Sequence, residues 1–343
     1  MLVIADPILP VPPVGYGGTE RIVATLCKNL NHRGHEVTLM AHPASSVGTR
    51  LIPHYPPRLN SVASRARQKA VFFFKSMVAA ADVDLVHSFG RTDYLLPILR
   101  WTQRPIVITF QNPIIDSNIR WLAHQRSEGI KLVSVSNAQR SAHPHSRRWS
   151  TVYNAIDTSA FPFSNIHPEE GYLAFLGRIT AAKGVRAAIE VAKLSGRKLK
   201  IGGKPTNENG SERFFLDEIK PHLSDQIEWV GEVTEAAKGR FLGDASALLF
   251  PIQWEEPFGI VMPEALACGT PVIAFSRGSV PELVRHGETG FLAADINDMV
   301  RCVGRLSEIS RSACRNYAVE CFNEHRMVDD YLNLYRELLP NTA

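Results

Sequence analysis

The 343-residue sequence has few cysteines, little net charge and no apolar run of the roughly 20 residues that a membrane-spanning helix needs. Its five cysteines form no C-x-x-C pair, and their odd number and wide spacing argue against a disulfide framework or a zinc site. A net charge of +4 is too small and too dispersed to predict a nucleic-acid surface. Prolines 7, 10, 12 and 13 would break an apolar signal helix, so we expect a soluble cytoplasmic protein.

Short apolar runs rich in β-branched residues alternate with helical or irregular segments along the whole chain, which is typical of parallel sheets built from strand-helix-strand units. A single core stops growing at about 250 to 300 residues, so this chain predicts two domains. The predicted strands are residues 2–5, 37–40, 85–87, 105–110, 131–135 and 152–154 in the first half, and 172–176, 199–201, 227–230, 248–252, 272–275 and 291–292 in the second.

The domain boundary is predicted near residue 157, because residues 157–171 contain Pro162 and Pro168 and no sustained periodicity. The first doubly wound α/β domain then covers 1–157 and the second covers 158–324. Apolar residues at helical spacing continue to the end of the chain, so we expect a helix at about 325–343 to pack back on the first domain.

Two carboxylates lie at the predicted start of one helix in the second half. Pro263 fits only the first turn, which places the helix start near Gly259 or Ile260, with Glu256 just before it and Glu264 just inside it. First-turn N–H groups attract an anion while carboxylates accept hydrogen bonds from hydroxyls, so the pattern suits a phosphorylated sugar. The alternative is an ordinary helix start, where acidic residues are favoured by the dipole.

Two loops that follow predicted strands offer further candidate binding groups, because ligands of open parallel sheets bind beyond the carboxyl ends of strands. Gly17 and Gly18 open the first helix and allow close approach of a phosphate, or else they simply form a turn. Arg178 and Lys183 flank the first loop of the second half and can converge on one anion, or remain separately solvated. Because no G-x-G-x-x-G motif is present, a nicotinamide cofactor is not favoured.

Taken together, these motifs resemble those of the retaining glycosyltransferases of family 4, the group-1 enzymes similar to glycogen synthase and mannosyltransferases. The motifs are G-R-x4-K ending at Lys183, E-x7-E from Glu256 to Glu264, and Gly17-Gly18. V-Y-N-A-I-D at 152–157 and G-E-T-G-F-L at 287–292 also fit. The resemblance implies a GT-B fold, in which two Rossmann-like domains with parallel sheets face a central cleft.

The resemblance also implies a role for each matching residue. Arg178 and Lys183 would hold the donor diphosphate, and Glu256 would hold hydroxyls of the transferred sugar. Arg178, Lys183 and Glu256 would form the catalytic set. Glu264 would bind the donor ribose. The remaining donor-binding candidates are the backbone N–H groups of Phe258, Gly259, Ile260 and Val261, and Val233 and Lys238, which lie where relatives meet the base.

The implied reaction transfers a hexose from a nucleotide-diphosphate sugar to a hydroxyl acceptor with retention and without a metal or other cofactor. UDP-sugars are favoured as donor, followed by GDP-mannose, and the acceptor is a saccharide, a lipid-linked glycan or a small molecule. Two alternatives stay open, a sugar-nucleotide epimerase or phosphorylase of the same architecture and a catalytically silent nucleotide-sugar sensor. Donor conversion without an acceptor would separate the epimerase from the transferase.

The sequence departs from the family pattern where many relatives place a histidine near the reacting carbon. It has Gln111 there, a neutral side chain that cannot act as a base. His87 is the last residue of a neighbouring predicted strand and is the second candidate on the acceptor side, although a histidine at a strand end is more often a hydrogen-bonded structural residue.

Two further patterns have a functional and a structural interpretation. Asp82-Val83-Asp84 has the D-x-D spacing of metal-dependent glycosyltransferases of another fold, but solvated acids before a strand are the favoured interpretation and no metal site is predicted. Residues 65–75 combine basic and aromatic side chains, which predicts either peripheral contact with an anionic membrane on its inner face or a helix packed within the first domain.

Overall fold

The structure, a computed structural model, describes residues 1–15, 17–55, 62–90, 92–114, 122, 129–141, 148–168, 171–205 and 210–339. The chain divides into two compact units. Unit 1 comprises Met1–Asn154 and Glu324–Ala343, and unit 2 comprises Ala155–Asn323. The observed division thus follows residue 154, where the sequence analysis placed it after 157, and the C-terminal segment belongs to unit 1 from Glu324 onward.

Unit 1 is built on a parallel sheet of seven strands in the order β3-β2-β1-β4-β5-β6-β7. Its strands are β1 Leu2–Ile4, β2 Thr38–Ala41, β3 Arg50–Pro53, β4 Val86–Ser88, β5 Ile106–Phe110, β6 Ile130–Ser134 and β7 Trp149–Thr151. The described helices of its first segment are α1 Gly18–His32, α2 Val62–Ala81, α3 Thr92–Trp101 and α4 Asn137–Arg140. The sheet reverses its direction of growth between β1 and β4, so the loops after these two strands meet at one edge.

The C-terminal helix Glu324–Leu338 contributes aromatic residues to the core of unit 1. Tyr331 and Tyr335 are buried, and their hydroxyls lie 3.1 Å from Thr109 Oγ1 and 2.6 Å from His87 Nδ1. These contacts explain why the periodic apolar pattern at the end of the chain forms an amphipathic helix: its apolar face has a core to cover.

Unit 2 is built on a second parallel sheet of six strands, in the order β10-β9-β8-β11-β12-β13. The strands are β8 Tyr172–Leu176, β9 Leu199–Gly202, β10 Ile227–Gly231, β11 Ala245–Phe250, β12 Val272–Phe275 and β13 Gly290–Ala293. The α-helices are α5 Val185–Ser195, α6 Ser211–Phe214, α7 Glu235–Gly243, α8 Val261–Ala267, α9 Val280–Leu283, α10 Ile296–Gly304 and α11 Arg311–Cys321. Its direction of growth reverses between β8 and β11, which lie side by side.

Every residue of β11 is buried, as expected of a central strand covered on both faces. Along the described part of the chain, none of the helices is both long and apolar enough to cross a membrane.

Candidate functional site

The loops after β8 and β11 meet at the reversal point of the unit 2 sheet, and an ion pair joins them. Lys183, at the end of the first loop, places its Nζ 2.5 Å from Oε2 of Glu256, in the second. The lysine side chain is 14% exposed and the glutamate side chain 10%, so the pair is largely removed from water. The same ammonium lies 5.4 Å from the ring centroid of Trp254 and 6.0 Å from that of Phe250.

Close backbone packing fixes both partners of this pair. Gly184 has φ 77°, and a Cβ there would lie 1.8 Å from the carbonyl oxygen of Pro251. On the other side, Gly278 has φ 56°, and a Cβ there would lie 2.4 Å from the carbonyl oxygen of Glu256. The N–H of Ser279 also donates to that carbonyl at 3.0 Å. The loops are therefore locked together where the cation and the carboxylate meet.

Helix α8 begins at Val261, with Ile260 as its N-cap, which is later than the predicted start near Gly259 or Ile260. The reason is that Gly259 has φ 77°, a left-handed conformation that ends the loop and cannot belong to a right-handed helix. Pro263 lies in the first turn as predicted. The N–H groups of this first turn have no carbonyl one turn earlier within the helix to bond.

Glu264 takes part in a second ion pair of unit 2. Its side chain is 4% exposed, and its Oε1 accepts a hydrogen bond of 2.6 Å from Nζ of Lys238 on α7. Lys238 also lies 3.0 Å from the more exposed carboxylate of Glu235. Sequence reasoning associated Lys238 with the donor base, whereas the structure pairs it with the carboxylate proposed to bind ribose. Its spacing along the chain carried no signal of that partner.

The other donor-site candidates of unit 2 lie on neighbouring loops. Arg178 is half-buried two residues after β8, and the backbone beside it is tightly packed, since a Cβ on Gly203 would lie 1.9 Å from the carbonyl oxygen of Gly177. Val233 follows β10 and lies close to the end of β9. If Gly202 carried a Cβ, that atom would lie 2.7 Å from Cγ2 of Val233. Phe258 is buried, and its carbonyl accepts a 2.8 Å hydrogen bond from the Ser279 hydroxyl.

In unit 1, Gly17 is the N-cap of α1 and Gly18 its first residue. A Cβ on Gly17 would lie 2.8 Å from Cβ of Pro13 and 2.9 Å from Oε2 of Glu20, whereas a Cβ on Gly18 would meet nothing within 4 Å. Sequence reasoning missed Glu20, which is buried. Burial raises the pKa of its carboxyl, and the nearby negative charge of Asp6 raises that pKa further. The Pro- and Gly-containing stretch before α1 gave no sign that the charge of Asp6 acts on the carboxyl of Glu20.

His87 is a core residue of unit 1, which corrects its assignment as an acceptor-side candidate. It is fully buried, with Nδ1 2.6 Å from the hydroxyl of Tyr335 and Nε2 2.8 Å from Oγ1 of Thr109. Burial lowers the pKa of the imidazole to about 3, so the ring is neutral at physiological pH. With both nitrogens bonded inside the core, this side chain stabilises the packing of the C-terminal helix.

Gln111 forms a reciprocal amide pair with Asn154. Nε2 of Gln111 donates to Oδ1 of Asn154 at 2.9 Å, and Nδ2 of Asn154 donates to Oε1 of Gln111 at 2.8 Å. The pair holds Gln111 in one orientation and joins the loop after β5 to the last residue of the first segment of unit 1.

No group of three or more His, Cys, Asp or Glu side chains arranged to hold a metal ion occurs among the residues that the structure describes. Asp82 and Asp84, which have the D-x-D spacing, are exposed between α2 and β4.

Two family models match consecutive parts of the chain. The model for Glycosyltransferase Family 4 matches residues 16–160, and the model for Glycosyl transferases group 1 matches residues 157–316. D-inositol 3-phosphate glycosyltransferase of Mycobacterium sp. (strain KMS) is 28% identical over 233 residues, which cover 63% of this chain and 51% of that protein. The chain therefore spans about half the length of the curated relatives that it matches first.

Solved structures resemble the chain over almost its full length. Sucrose-phosphate synthase from Thermosynechococcus elongatus matches with a TM-score of 0.83 and 18% identity over 98% of both chains. Anabaena HepE in complex with UDP and glucose matches with a TM-score of 0.76 and 16% identity, covering 98% of this chain and 99% of that one. Two units with parallel sheets and these neighbours define the GT-B fold. Because the two family models also match, the chain belongs to the group-1 glycosyltransferases of the family 4 type.

Proposed function

We propose that the protein is a hexosyltransferase that moves a sugar from a nucleotide-diphosphate donor to a hydroxyl acceptor with retention of anomeric configuration. The observation that carries this proposal is the ion pair between Lys183 and Glu256 at the reversal point of the unit 2 sheet. Ligands of open α/β sheets bind beyond the carboxyl ends of the strands at such points. A cation for phosphate and a carboxylate for hydroxyls are therefore held together where a nucleotide sugar would bind.

In the proposed reaction, Arg178 and Lys183 bind the diphosphate and stabilise the negative charge that develops on it. The bond between the anomeric carbon and the phosphate oxygen breaks, and its electron pair goes to that oxygen. The acceptor oxygen forms the new bond on the same face of an oxocarbenium-like sugar, and the acceptor proton goes to the departing phosphate oxygen. Because two side-chain cations supply the positive charge, the proposal requires no metal.

Glu256 and Glu264 orient the donor in this proposal. Glu256 accepts hydrogen bonds from hydroxyls of the transferred sugar, while Glu264 accepts them from the ribose. The hydrogen bond from Lys238 holds the carboxylate of Glu264 in place, so Lys238 is proposed as a positioning residue. The backbone N–H groups of residues 258–261 then complete the site for the sugar and the distal phosphate.

UDP is the nucleotide we propose first, with GDP second, and the presence of UDP in Anabaena HepE supports that order. We place the acceptor site in unit 1, and the acceptor is a saccharide, a lipid-linked glycan or a small molecule. We also propose that the protein is cytoplasmic. Calorimetric titration of the full chain with UDP, GDP and ADP tests the nucleotide, because the preferred one binds most tightly.

Replacing Arg178 or Lys183 by alanine tests the catalytic assignment. Each change should lower turnover by roughly 100-fold, since each removes a preorganised charge from the leaving group. The matched control is Arg186→Ala, which removes a cation whose side chain is 63% exposed and paired with Glu218. Near-normal turnover in the Arg178 and Lys183 variants, measured with a confirmed acceptor, would overturn the assignment.

A further inference from the structure

One side of helix α2 in unit 1 exposes a continuous stripe of apolar side chains. Val71, Phe74 and Val78 are 47%, 66% and 73% exposed, and their i, i+3, i+7 spacing places them on one side of the helix. Trp101, at the end of α3, is 60% exposed and packs edge-on against Phe73 of α2, with ring centroids 5.4 Å apart. These four exposed residues, Val71, Phe74, Val78 and Trp101, form what we call the α2 face.

Cationic residues lie beside the α2 face. The sequence of α2 contains four cationic residues and no acidic one. Arg67 is exposed one turn before Val71, and the guanidinium of the exposed Arg100 lies 5.9 Å from the ring centroid of Trp101. The nearest acids that follow along the chain, Asp82 and Asp84, lie beyond the end of the helix. The face is therefore apolar, with the cationic Arg67 and Arg100 next to it.

A cavity of about 400 Å³ adjoins the α2 face, between α2 and the ends of β2 and β3. Val71 belongs to both the cavity and the face, and two cationic residues, Arg67 and Lys75, are among the residues that line the cavity. Nζ of Lys75 lies 3.1 Å from the carbonyl oxygen of Pro53. His54 also lines the cavity, and burial lowers the pKa of its imidazole to about 4. The negative charge of Asp6 raises this pKa and the positive charge of Lys75 lowers it further. The imidazole is therefore neutral at physiological pH.

The joined cavity and face favour one kind of ligand. A soluble phosphorylated sugar would satisfy Arg67 and Lys75 but would leave the α2 face in water. A phospholipid of an anionic membrane satisfies both, because its phosphate fits the cationic cavity and its acyl region covers the apolar side chains. We propose that unit 1 docks through the α2 face on an anionic membrane and binds a lipid headgroup phosphate in the adjoining cavity. The site is separate from the proposed donor site and does not depend on it.

Sedimentation of the full chain with lipid vesicles tests the proposal. The protein should bind vesicles of phosphatidylcholine mixed with phosphatidylglycerol, and it should bind pure phosphatidylcholine far less. Phe74→Ser should reduce partitioning by about 10-fold through lost apolar contact. Arg67→Gln should reduce it by roughly 5-fold, the effect of one cation near an anionic surface.

Matched controls separate this surface from general effects. Ile166→Ser removes an apolar side chain of unit 2 that is 77% exposed, and Arg240→Gln removes a cationic side chain there that is 88% exposed. Both controls should partition like the wild type, and all four variants should keep the wild-type affinity for UDP. Equal binding to neutral and anionic vesicles, or equal losses in controls and test variants, would overturn the proposal. Calorimetric binding of glucose 1-phosphate that Arg67→Gln abolishes, without vesicle binding, would assign the cavity to a soluble ligand instead.

Discussion

Glu256→Gln separates donor binding from catalysis, because Glu256 shares an ammonium group with the proposed diphosphate. Its Oε2 lies 2.5 Å from Nζ of Lys183, and both side chains are largely buried. An incoming diphosphate must compete with this carboxylate for the ammonium and also meets its negative charge. A hydrogen bond to a charged group contributes about 1.5 to 3 kcal/mol, so removing the competitor should tighten binding of a nucleoside diphosphate by roughly 10-fold.

Turnover should change in the opposite direction in the same variant. The amide accepts hydrogen bonds from sugar hydroxyls less strongly than the carboxylate does, so we expect turnover to fall by roughly 100-fold. Calorimetric titration with UDP measures the first effect, and initial rates at saturating donor measure the second. Glu255→Gln is the matched control, since it removes the same charge one residue away, where the carboxylate accepts a 2.7 Å hydrogen bond from the N–H of Gly278.

The reasoning fails if Glu256→Gln weakens UDP binding, or if Glu255→Gln tightens UDP binding equally. The first result would mean that the carboxylate supports the diphosphate site, and the second that only the overall charge of the region matters. Opposite changes in affinity and turnover, confined to Glu256→Gln, would support separate roles for the two members of the pair.

Two further predictions concern stability. Lys238→Met should lower the free energy of unfolding by about 3 kcal/mol, because it removes the ammonium beside the carboxylate of Glu264, whose side chain is only 4% exposed. Glu235→Gln, at a side chain that is 52% exposed, should cost under about 1 kcal/mol, and equal urea midpoints for the two variants would contradict the difference. Burial lowers the pKa of His87 from 6.5 to about 3 in the folded protein. As the pH falls below 6.5, the unfolded chain therefore binds a proton at this residue before the folded chain does, and the free energy of unfolding decreases toward pH 3. His87→Gln removes this pH dependence. The difference in free energy of unfolding between the wild type and the variant should therefore shrink by about 2 kcal/mol from pH 7 to pH 5. A difference that stays constant over this range would refute the prediction.

Strands that form a continuous apolar run could be located from the sequence, and strands without such a run could not. The predicted strands at 172–176 and 272–275 match β8 and β12 at both ends, because each is a short apolar run with clear borders. In contrast, β3 was missed, since it lies at the sheet edge and none of its four residues is buried. The last strand of unit 1 was placed at 152–154, whereas β7 is Trp149–Thr151, whose polar Ser150 and Thr151 interrupt the apolar signal.

The candidate site was predictable in its parts, although its pairings were not. Spacing along the chain placed Arg178, Lys183, Glu256 and Glu264 on loops and helix starts that adjoin neighbouring strands. It gave no information on where long side chains end, so the contact of Lys183 with Glu256 and that of Lys238 with Glu264 required the structure. Long charged side chains select their partners by tertiary packing, which no local periodicity encodes.

The two acceptor-side candidates bear on how the acceptor loses its proton. A general base needs a nitrogen or carboxylate that can accept a proton near neutral pH. The ring nitrogens of His87 are both bonded within the core and its pKa is about 3, while Gln111 is an amide that donates to and accepts from Asn154. Neither side chain can act as that base. This chemistry is consistent with the proposed reaction, in which the departing phosphate oxygen takes the acceptor proton.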